Sequence, residues 1–274
     1  MNEKPNLRPL WDAILEVYKV FADICERHGL RYCADCGTAL GAIRHGGFIP
    51  WDDDMDLQMP RPDYEKFVKI AKRELPDGYA WVDKSNSEEI NIAFGKVVVT
   101  DKEMIEKVSR ESRRNLFEGI FIDVFPLDGF PDTRLGRFWR KVQNALVAFS
   151  SDAHGSIKNC RTWKSKVGYL IGLVLWPINY KMRNARDVAE FYERRAKKLP
   201  FGSTDMCVSI GISRHDDDKP YPFRFFGTPR FAPFEGVKMP VQENVDGYLR
   251  YIFGDYMKLP PPEMRRGTHS RPFE

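Results

Sequence analysis

The chain has 274 residues, 42% of them hydrophobic, which is enough for one large core or two modest ones. Its 43 Lys and Arg and 39 Asp and Glu give a net charge of +4, which offers no argument for a nucleic-acid partner. The N-terminus lacks the layout of a signal peptide, and no apolar run reaches the ~18 residues that span a bilayer. We therefore expect a soluble cytoplasmic protein.

Helical spacing of apolar residues predicts a first helix over 10–25, which Gly29 closes. A strand at 30–34 follows, and Gly37 and Thr38 then open a short turn and helix. The remaining elements of this half are a strand at 54–59, a helix at 62–75, and strands near 80–83, 91–99 and 119–125. This order predicts an α+β (α/β-like) fold, with a mixed sheet core flanked by helices.

After Pro131 the pattern becomes mostly helical. The predicted elements are helices at 134–150, 162–176 and 184–199, strands at 206–212 and 234–241, and a helix at 243–253. From Lys258 onward, three prolines predict an extended tail on the surface.

The run GGFIPWDDDMDLQMPR, residues 46–61, carries the clearest chemical signal. Residues two apart on a strand share a face, so Asp54 and Asp56 project together while the apolar residues beside them pack the other way. Asp52 has the same parity and can add a third oxygen, whereas Asp53 points away. Adjacent carboxylates repel unless a cation lies between them, and all-oxygen ligation favours Mg²⁺ or Mn²⁺. This alternation favours a metal site over a solvated acidic turn.

Two further elements fit such a site. Gly37 and Thr38, at a strand-to-helix turn, let backbone N–H groups approach a phosphate, although such turns often only cap helices. Asp123, in the apolar strand GIFIDVFPLDG, is a costly burial unless it is paired or binds a metal. It is a candidate metal ligand or base, and the alternative is a cap on the following turn. Together with the acidic strand, these residues predict a nucleotidyltransferase-type site.

Positive charge near the transferred phosphate is the remaining need. Arg44 and His45, between the glycine turn and the acidic strand, and Lys96, in the apolar strand AFGKVVV, are the candidates. Simple surface exposure of these side chains is the alternative.

The five cysteines are an odd number and favour reduced thiols over a disulfide framework. Cys25, His28, Cys33 and Cys36 have a metal-like spacing, but a single CxxC is a weak zinc signal, so structural thiols are the preferred interpretation.

Three segments resemble the LicD family, which comprises bacterial phosphocholine transferases and relatives, including the fukutin-related ribitol phosphate transferases. They are GTALGAIRHGGFIPWDDDMDLQMPR, FIDVFPLDG and FEGVKMPVQENVDGYLRYIFGDYMKLPP. By position, Asp54 and Asp56 match the family's metal aspartates, with Asp52 beside them, and Asp123 matches its later acidic motif. Cys36 stands where the family would have a small residue such as glycine.

The resemblance implies a nucleotidyltransferase-like core, Mg²⁺ dependence and transfer of a phospho-alcohol from a CDP-activated donor, such as CDP-choline, to a sugar hydroxyl. We expect a glycan or lipid-linked sugar as acceptor. The alternatives are a nucleotidyltransferase that places NMP on a small acceptor, and an inactive metal- or nucleotide-binding module. The expected organisation is a nucleotidyltransferase-like core at 1–131, a helical insertion or subdomain at 132–200, and C-terminal strands, helix and tail at 201–274 that pack back on the core.

Two segments allow weaker predictions. Residues 167–178 are nearly all apolar and flanked by Lys and Arg, so they form either a buried helix or an interfacial helix that contacts the membrane. The aromatic and basic stretch 221–234 is either a packed loop or a contact for choline or sugar through cation–π attraction.

Overall fold

The computed structural model describes residues 6–86, 93–152, 166–167, 170, 185–209, 220–267 and 269–272, with side chains in all of these except 145–152 and 185–188. By chain contacts it divides into two compact units. The first comprises residues 1–82, 94–126 and 224–274, and the second comprises residues 83–93 and 127–223.

The first unit is a mixed sheet with helices, which confirms the predicted fold class. Its helices are α1 (Arg8–Arg27), α2 (Cys36–Arg44), α3 (Arg61–Glu74), α4 (Lys102–Ser112) and, near the C-terminus, α7 (Val245–Phe253). Its strands are β1 (Cys33–Ala34), β2 (Asp56–Pro60), β3 (Tyr79–Val82), β4 (Gly95–Val99), β5 (Arg114–Asn115), the first part of β6 (Phe121–Phe130), β9 (Arg230–Phe234), β10 (Val237–Val241) and β11 (Arg271–Pro272).

Helix α1 forms because its apolar residues recur every three or four positions and bury one face against the core. Its fully buried side chains include Leu10, Ile14, Phe21 and Ile24. The helix ends at Arg27, and Gly29 follows with a φ of +62°, in the left-handed region that favours glycine.

The strand order of the main sheet in the first unit is β1-β2-β6-β4-β3. Strand β4 pairs antiparallel with β6, and this register places Lys96 opposite Asp123. Strands β2 and β6 are neighbours, and the amide of Asp123 donates to the carbonyl of Met55 at 2.9 Å. The sheet therefore brings the two predicted acidic segments side by side.

The second unit contains the rest of β6, helices α5 (Arg134–Asp152) and α6 (Ala185–Ala196), and strands β7 (Met206–Ser209) and β8 (Tyr221–Pro222). Strand β7 pairs antiparallel with β6 and with β8. A small core forms around Phe130, Tyr192, Ala196 and Val208. The predicted helix at 162–176, the apolar segment 167–178 and the end of the predicted strand at 206–212 lie largely or wholly outside the described residues.

The short strands β5, β8 and β11 were not predicted, and neither were two longer elements, α4 and β9. Helix α4 begins after Asp101, whose side chain accepts from the amides of Glu103 and Met104. Strand β9 pairs with β10 across a two-residue turn, Glu235-Gly236, in which both residues have positive φ, as a type I′ hairpin requires.

The prediction of an extended surface tail after Lys258 is wrong for residues 270–272, the last that the structure describes. Strand β11 pairs with β5, and Ser270 is 4% exposed. No helix in the described part of the chain is long and apolar enough to cross a membrane. The described cysteines, Cys25, Cys33, Cys36 and Cys207, are free thiols.

Candidate metal and phosphate site

The acidic run at the start of β2 alternates in burial, as its sequence predicts. Asp53 and Met55 are buried, whereas Asp52, Asp54 and Asp56 are partly exposed on the other side. The three carboxylates of one parity therefore share a face, although the regular strand begins only at Asp56.

The start of helix α2 lies against this face. The Thr38 hydroxyl accepts from the Asp56 amide at 2.8 Å, which ties the helix start to the strand. A Cβ on Gly37 would lie 2.9 Å from Oδ2 of Asp52, so a larger residue there would displace the Asp52 carboxylate. Cys36 has a φ of +34°, in the region that favours glycine, which agrees with the small residue expected there.

Asp35 caps α2 and was not predicted as a site residue. Its carboxylate accepts from the Cys36 amide at 2.7 Å and from the Tyr248 hydroxyl of α7. The amide of Asp35 donates to the carbonyl of Asp56 at 2.9 Å. A buried carboxylate at a helix start is a common N-cap, so the sequence signal was present but has a structural explanation.

Asp123 faces a lysine across the sheet. Nζ of Lys96 lies 3.0 Å from Oδ1 of Asp123, and both side chains are largely buried. The ammonium also lies over the ring of Phe121, 3.6 Å from its centroid. The structure thus brings Lys96 to the predicted acidic site.

Burial of the carboxylates, together with their mutual repulsion, shifts their pKa values. Burial, and then the charge of Asp54, raise the pKa of Asp52 to about 8. Burial, and then Asp54, Asp123, Asp35 and Asp52, raise the pKa of Asp56 well above its usual range. Burial also raises the pKa of Asp123, but the Lys96 ammonium limits that rise to about 6.

This donor set fits a hard divalent cation in its chemistry. It offers carboxylate oxygens only, and their mutual repulsion is what a bound cation would relieve. Within the described ranges, however, no group of three or more His, Cys, Asp or Glu side chains is already arranged as a metal site, and this includes the cysteine–histidine spacing near Cys25. In this structure the counter-charges are Lys96 and a histidine near the C-terminus.

That histidine, His269, was missed in the sequence because its neighbours give no local signal. Its Nε2 lies 3.0 Å from Oδ2 of Asp54, and its Nδ1 lies 2.9 Å from Oε2 of Glu118. The hydrogen bond to Asp54 is the main cause that raises the pKa of His269 to about 9, against the opposing effect of burial.

Arg44 and His45 lie at the other end of α2 from Gly37. Arg44 lies eight positions along the helix from Cys36, a rise of about 12 Å. Arg44 donates to the carbonyl of Tyr256 at 2.6 Å and to Nε2 of His45 at 3.0 Å. Their role in donor binding stays a prediction, and the structure places them apart from the carboxylates.

Comparisons with known proteins agree with these motifs. A family model described as LicD/FKTN/FKRP, nucleotidyltransferase domain, matches residues 29–149, which include both acidic segments. The lipopolysaccharide cholinephosphotransferase LicD of Haemophilus influenzae is 27% identical over 279 residues, which cover 97% of this chain and 97% of that protein. The ribitol 5-phosphate transferase FKRP of Homo sapiens is 44% identical over 45 residues, 16% of this chain and 9% of FKRP. An uncharacterized protein of Rickettsia typhi is 27% identical over 125 residues, 44% of this chain and 37% of that protein.

Proposed function

This chain carries a nucleotidyltransferase domain of the LicD family, and we propose that it transfers a phospho-alcohol from a CDP-activated donor to a sugar hydroxyl of a cell-surface glycan. The supporting observation is the cluster of four carboxylates, Asp52, Asp54, Asp56 and Asp123, beside the start of helix α2. Phosphocholine is the first candidate group, because the relative that matches almost the whole chain is named a cholinephosphotransferase.

Different residues would bind the metal ion and the phosphates of the donor. The four carboxylates would hold Mg²⁺ or Mn²⁺, which when bound neutralises charge on the donor pyrophosphate. The start of α2 at Gly37 and Thr38 offers backbone N–H groups to a phosphate, assisted by the positive end of the helix dipole. Lys96 adds a fixed positive charge next to Asp123.

The reaction is an in-line displacement at the phosphorus that carries the alcohol. The acceptor hydroxyl oxygen forms a bond to that phosphorus, and the bond from phosphorus to the oxygen bridging to the CMP phosphate breaks. CMP leaves with the electron pair of the broken bond. Asp123 or Asp52 accepts the proton of the acceptor hydroxyl.

A thermal-shift panel tests the donor without knowledge of the acceptor, because a ligand that binds only the folded chain raises the melting temperature. The panel contains CDP-choline, CDP-ethanolamine, CDP-ribitol, CDP-glycerol, CTP and ATP, each with Mg²⁺ and with EDTA. We expect a Mg²⁺-dependent shift with one CDP-alcohol, which the D56N variant should lose. A shift with none of the CDP-alcohols would contradict the proposal.

The second candidate is nucleotidyl transfer, which the description of the matching domain favours. The leaving group separates the two reactions, since phospho-alcohol transfer releases CMP and nucleotidyl transfer releases pyrophosphate. A shift with CTP or ATP alone, followed by pyrophosphate release, would favour the second candidate. No shift with any nucleotide would favour an inactive binding module.

Location at the cytoplasmic face of a membrane is a further part of the proposal. It rests on the apolar segment 167–178 with its basic flanks, which lies largely outside the described residues. Flotation with anionic liposomes tests this location. Protein that remains at the bottom of the gradient, and does not float with the liposomes, would contradict the membrane contact.

A further inference from the structure

The C-terminal segment, meaning His269, Ser270 and strand β11, is fixed to the core on two sides. Strand β11 pairs antiparallel with β5, with Arg271 opposite Asn115 and Pro272 opposite Arg114. Ser270 is buried between this pairing and the acidic run. The segment therefore has a defined position next to the carboxylates.

Asp53 is the second point of attachment. Its Oδ2 accepts from the amide of Ser270 at 2.8 Å and from the hydroxyl of Ser270 at 2.6 Å, and its Oδ1 accepts from the amide of His269 at 3.2 Å. Arg114 donates to the carbonyl of Ser270 at 2.7 Å and forms an ion pair with Asp53. Because Asp53 is adjacent to Asp54 in sequence, this attachment also fixes where His269 meets Asp54.

His269 contacts a carboxylate with each ring nitrogen. Nε2 lies 3.0 Å from Asp54, and Nδ1 lies 2.9 Å from Glu118. The ring also packs edge-on against Phe121, with centroids 5.5 Å apart. Three contacts on different sides define the orientation of the imidazole.

These contacts continue into the rest of the site as alternating charges. Oε2 of Glu118 lies 3.9 Å from Nζ of Lys96, which in turn lies 3.0 Å from Oδ1 of Asp123. His269 and Lys96 thus flank Glu118 and each holds one of the candidate metal ligands, Asp54 or Asp123. Alternating charges of this kind hold carboxylates in place that would otherwise repel one another.

We propose that His269 is a positioning residue of this site, which fixes the carboxylate of Asp54 for a divalent cation, while Glu118 orients the imidazole. The inference rests on the proposed function, since it assumes that Asp54 is a metal ligand. The bond from Nε2 restrains Oδ2 of Asp54, so the carboxylate is held in one orientation. Loss of a hydrogen-bonding partner of a metal ligand typically weakens metal affinity about 10- to 100-fold.

Direct Mn²⁺ binding, followed by electron paramagnetic resonance of free Mn²⁺, tests this inference without donor or acceptor. We expect H269A to bind Mn²⁺ about 10-fold or more weakly than the wild type, from the usual effect of such partners. H269Q, which keeps an N–H donor toward Asp54, should recover most of that affinity. R271A is the matched control, because it alters an exposed side chain of the same segment and should bind like the wild type.

The same titration separates the possible failures. Wild-type affinity or tighter binding in H269A, with binding abolished in D56N, would overturn the inference and leave the metal site standing. No Mn²⁺ binding by the wild type would overturn both. If H269A melts far below the wild type, the Mn²⁺ affinity of E118Q tests the inference in its place. Glu118 is partly exposed, so its substitution should weaken Mn²⁺ binding severalfold without unfolding the chain.

Discussion

The start of β2 and the C-terminal segment meet at one site, but different features of the chain determine their positions there. At the start of β2, the alternation of aspartates with apolar residues decides which carboxylates share a face. In the C-terminal segment nothing local indicates a site, and the position of His269 depends on pairing with β5 and on bonds to Asp53. Local periodicity sets the direction of a side chain, whereas distant pairing sets its partner.

The neighbours Asp53 and Asp54 show the difference most directly. Asp54 faces His269, and Asp53 faces the opposite way into bonds with Ser270 and Arg114. Substituting one of them should affect chemistry, and substituting the other should affect attachment of the C-terminal segment. Substitutions in each region test this separation.

Asp56→Asn should abolish transfer, with a loss of about 1,000-fold or more, because removal of a group acting on transition-state charge has effects of this size. The fold should remain, since the variant removes one of several mutually repelling carboxylates. Product formation and the melting temperature in EDTA measure the two effects. Undiminished product formation by D56N would contradict the assignment of Asp56 as a metal ligand.

Lys96→Met should cost stability as well as activity. The variant leaves the buried Asp123 carboxylate without its cation, which should lower the free energy of unfolding by about 3 kcal/mol. Transfer should fall about 100-fold, as it does when a charge-stabilising donor is removed. Urea unfolding and initial rates measure these effects.

The double variant K96M/D123N provides the control for that result. It removes both charges, so most of the lost stability should return while activity stays low. If the double variant is as unstable as K96M, the contact of Lys96 with Asp123 does not explain the loss, and packing of the lysine stem over Phe121 becomes the better account.

Asp53→Ala should release the C-terminal segment. It removes the acceptor for two amides and one hydroxyl, which should lower the free energy of unfolding by about 2 kcal/mol. Limited proteolysis should then cut near the C-terminus at a higher rate. Asp54→Ala is the matched control, and because it removes only the single bond to His269, it should raise the cleavage rate much less. Equal cleavage in both variants would break the distinction between the two neighbours.

Much of the first unit could be predicted from sequence because its signals are local. The period of α1, the parity of Asp54 and Asp56, and the buried carboxylate of Asp123 all follow from spacing. The partner of Asp123 could not be assigned, because the register of β4 against β6 places Lys96 there. Lys96 was a candidate only as an unexplained charge in an apolar strand.

The missed elements have separate physical reasons. Helix α4 carries few apolar residues, so its capping residue Asp101 was the main signal. Strand β9 contains a proline, which argues against a strand when only the sequence is considered. Its pairing with β10 outweighs that local signal. The C-terminal segment looked like a tail because three prolines precede it, although its structure is decided by residues more than a hundred positions earlier in the chain.

The pH dependence of the metal-free protein gives the smallest expected effect, and it compares the same two regions. The folded-state pKa of Asp52 is raised to about 8 and that of Asp56 is raised as well, above their ordinary value of 3.8. A raised carboxyl pKa means that the folded state holds the proton more tightly, so its contribution is most favourable at low pH and is lost as pH rises from about 4 to about 8. His269, whose folded-state pKa is raised from 6.5 to about 9, contributes stability that is complete below about pH 6.5 and is lost as pH rises from there to about 9.

In EDTA the melting temperature should therefore fall between pH 5 and pH 8. D56N should reduce that fall, because it removes one of the carboxylates that must ionise, and Mg²⁺ should oppose it by binding the ionised carboxylates. R271A should behave like the wild type, because Arg271 pairs with no member of the carboxylate cluster among the contacts of the described residues. A melting temperature that rises over this interval would show that the carboxylates at β2 do not repel one another in the folded chain, and the charge argument for a cation there would fail.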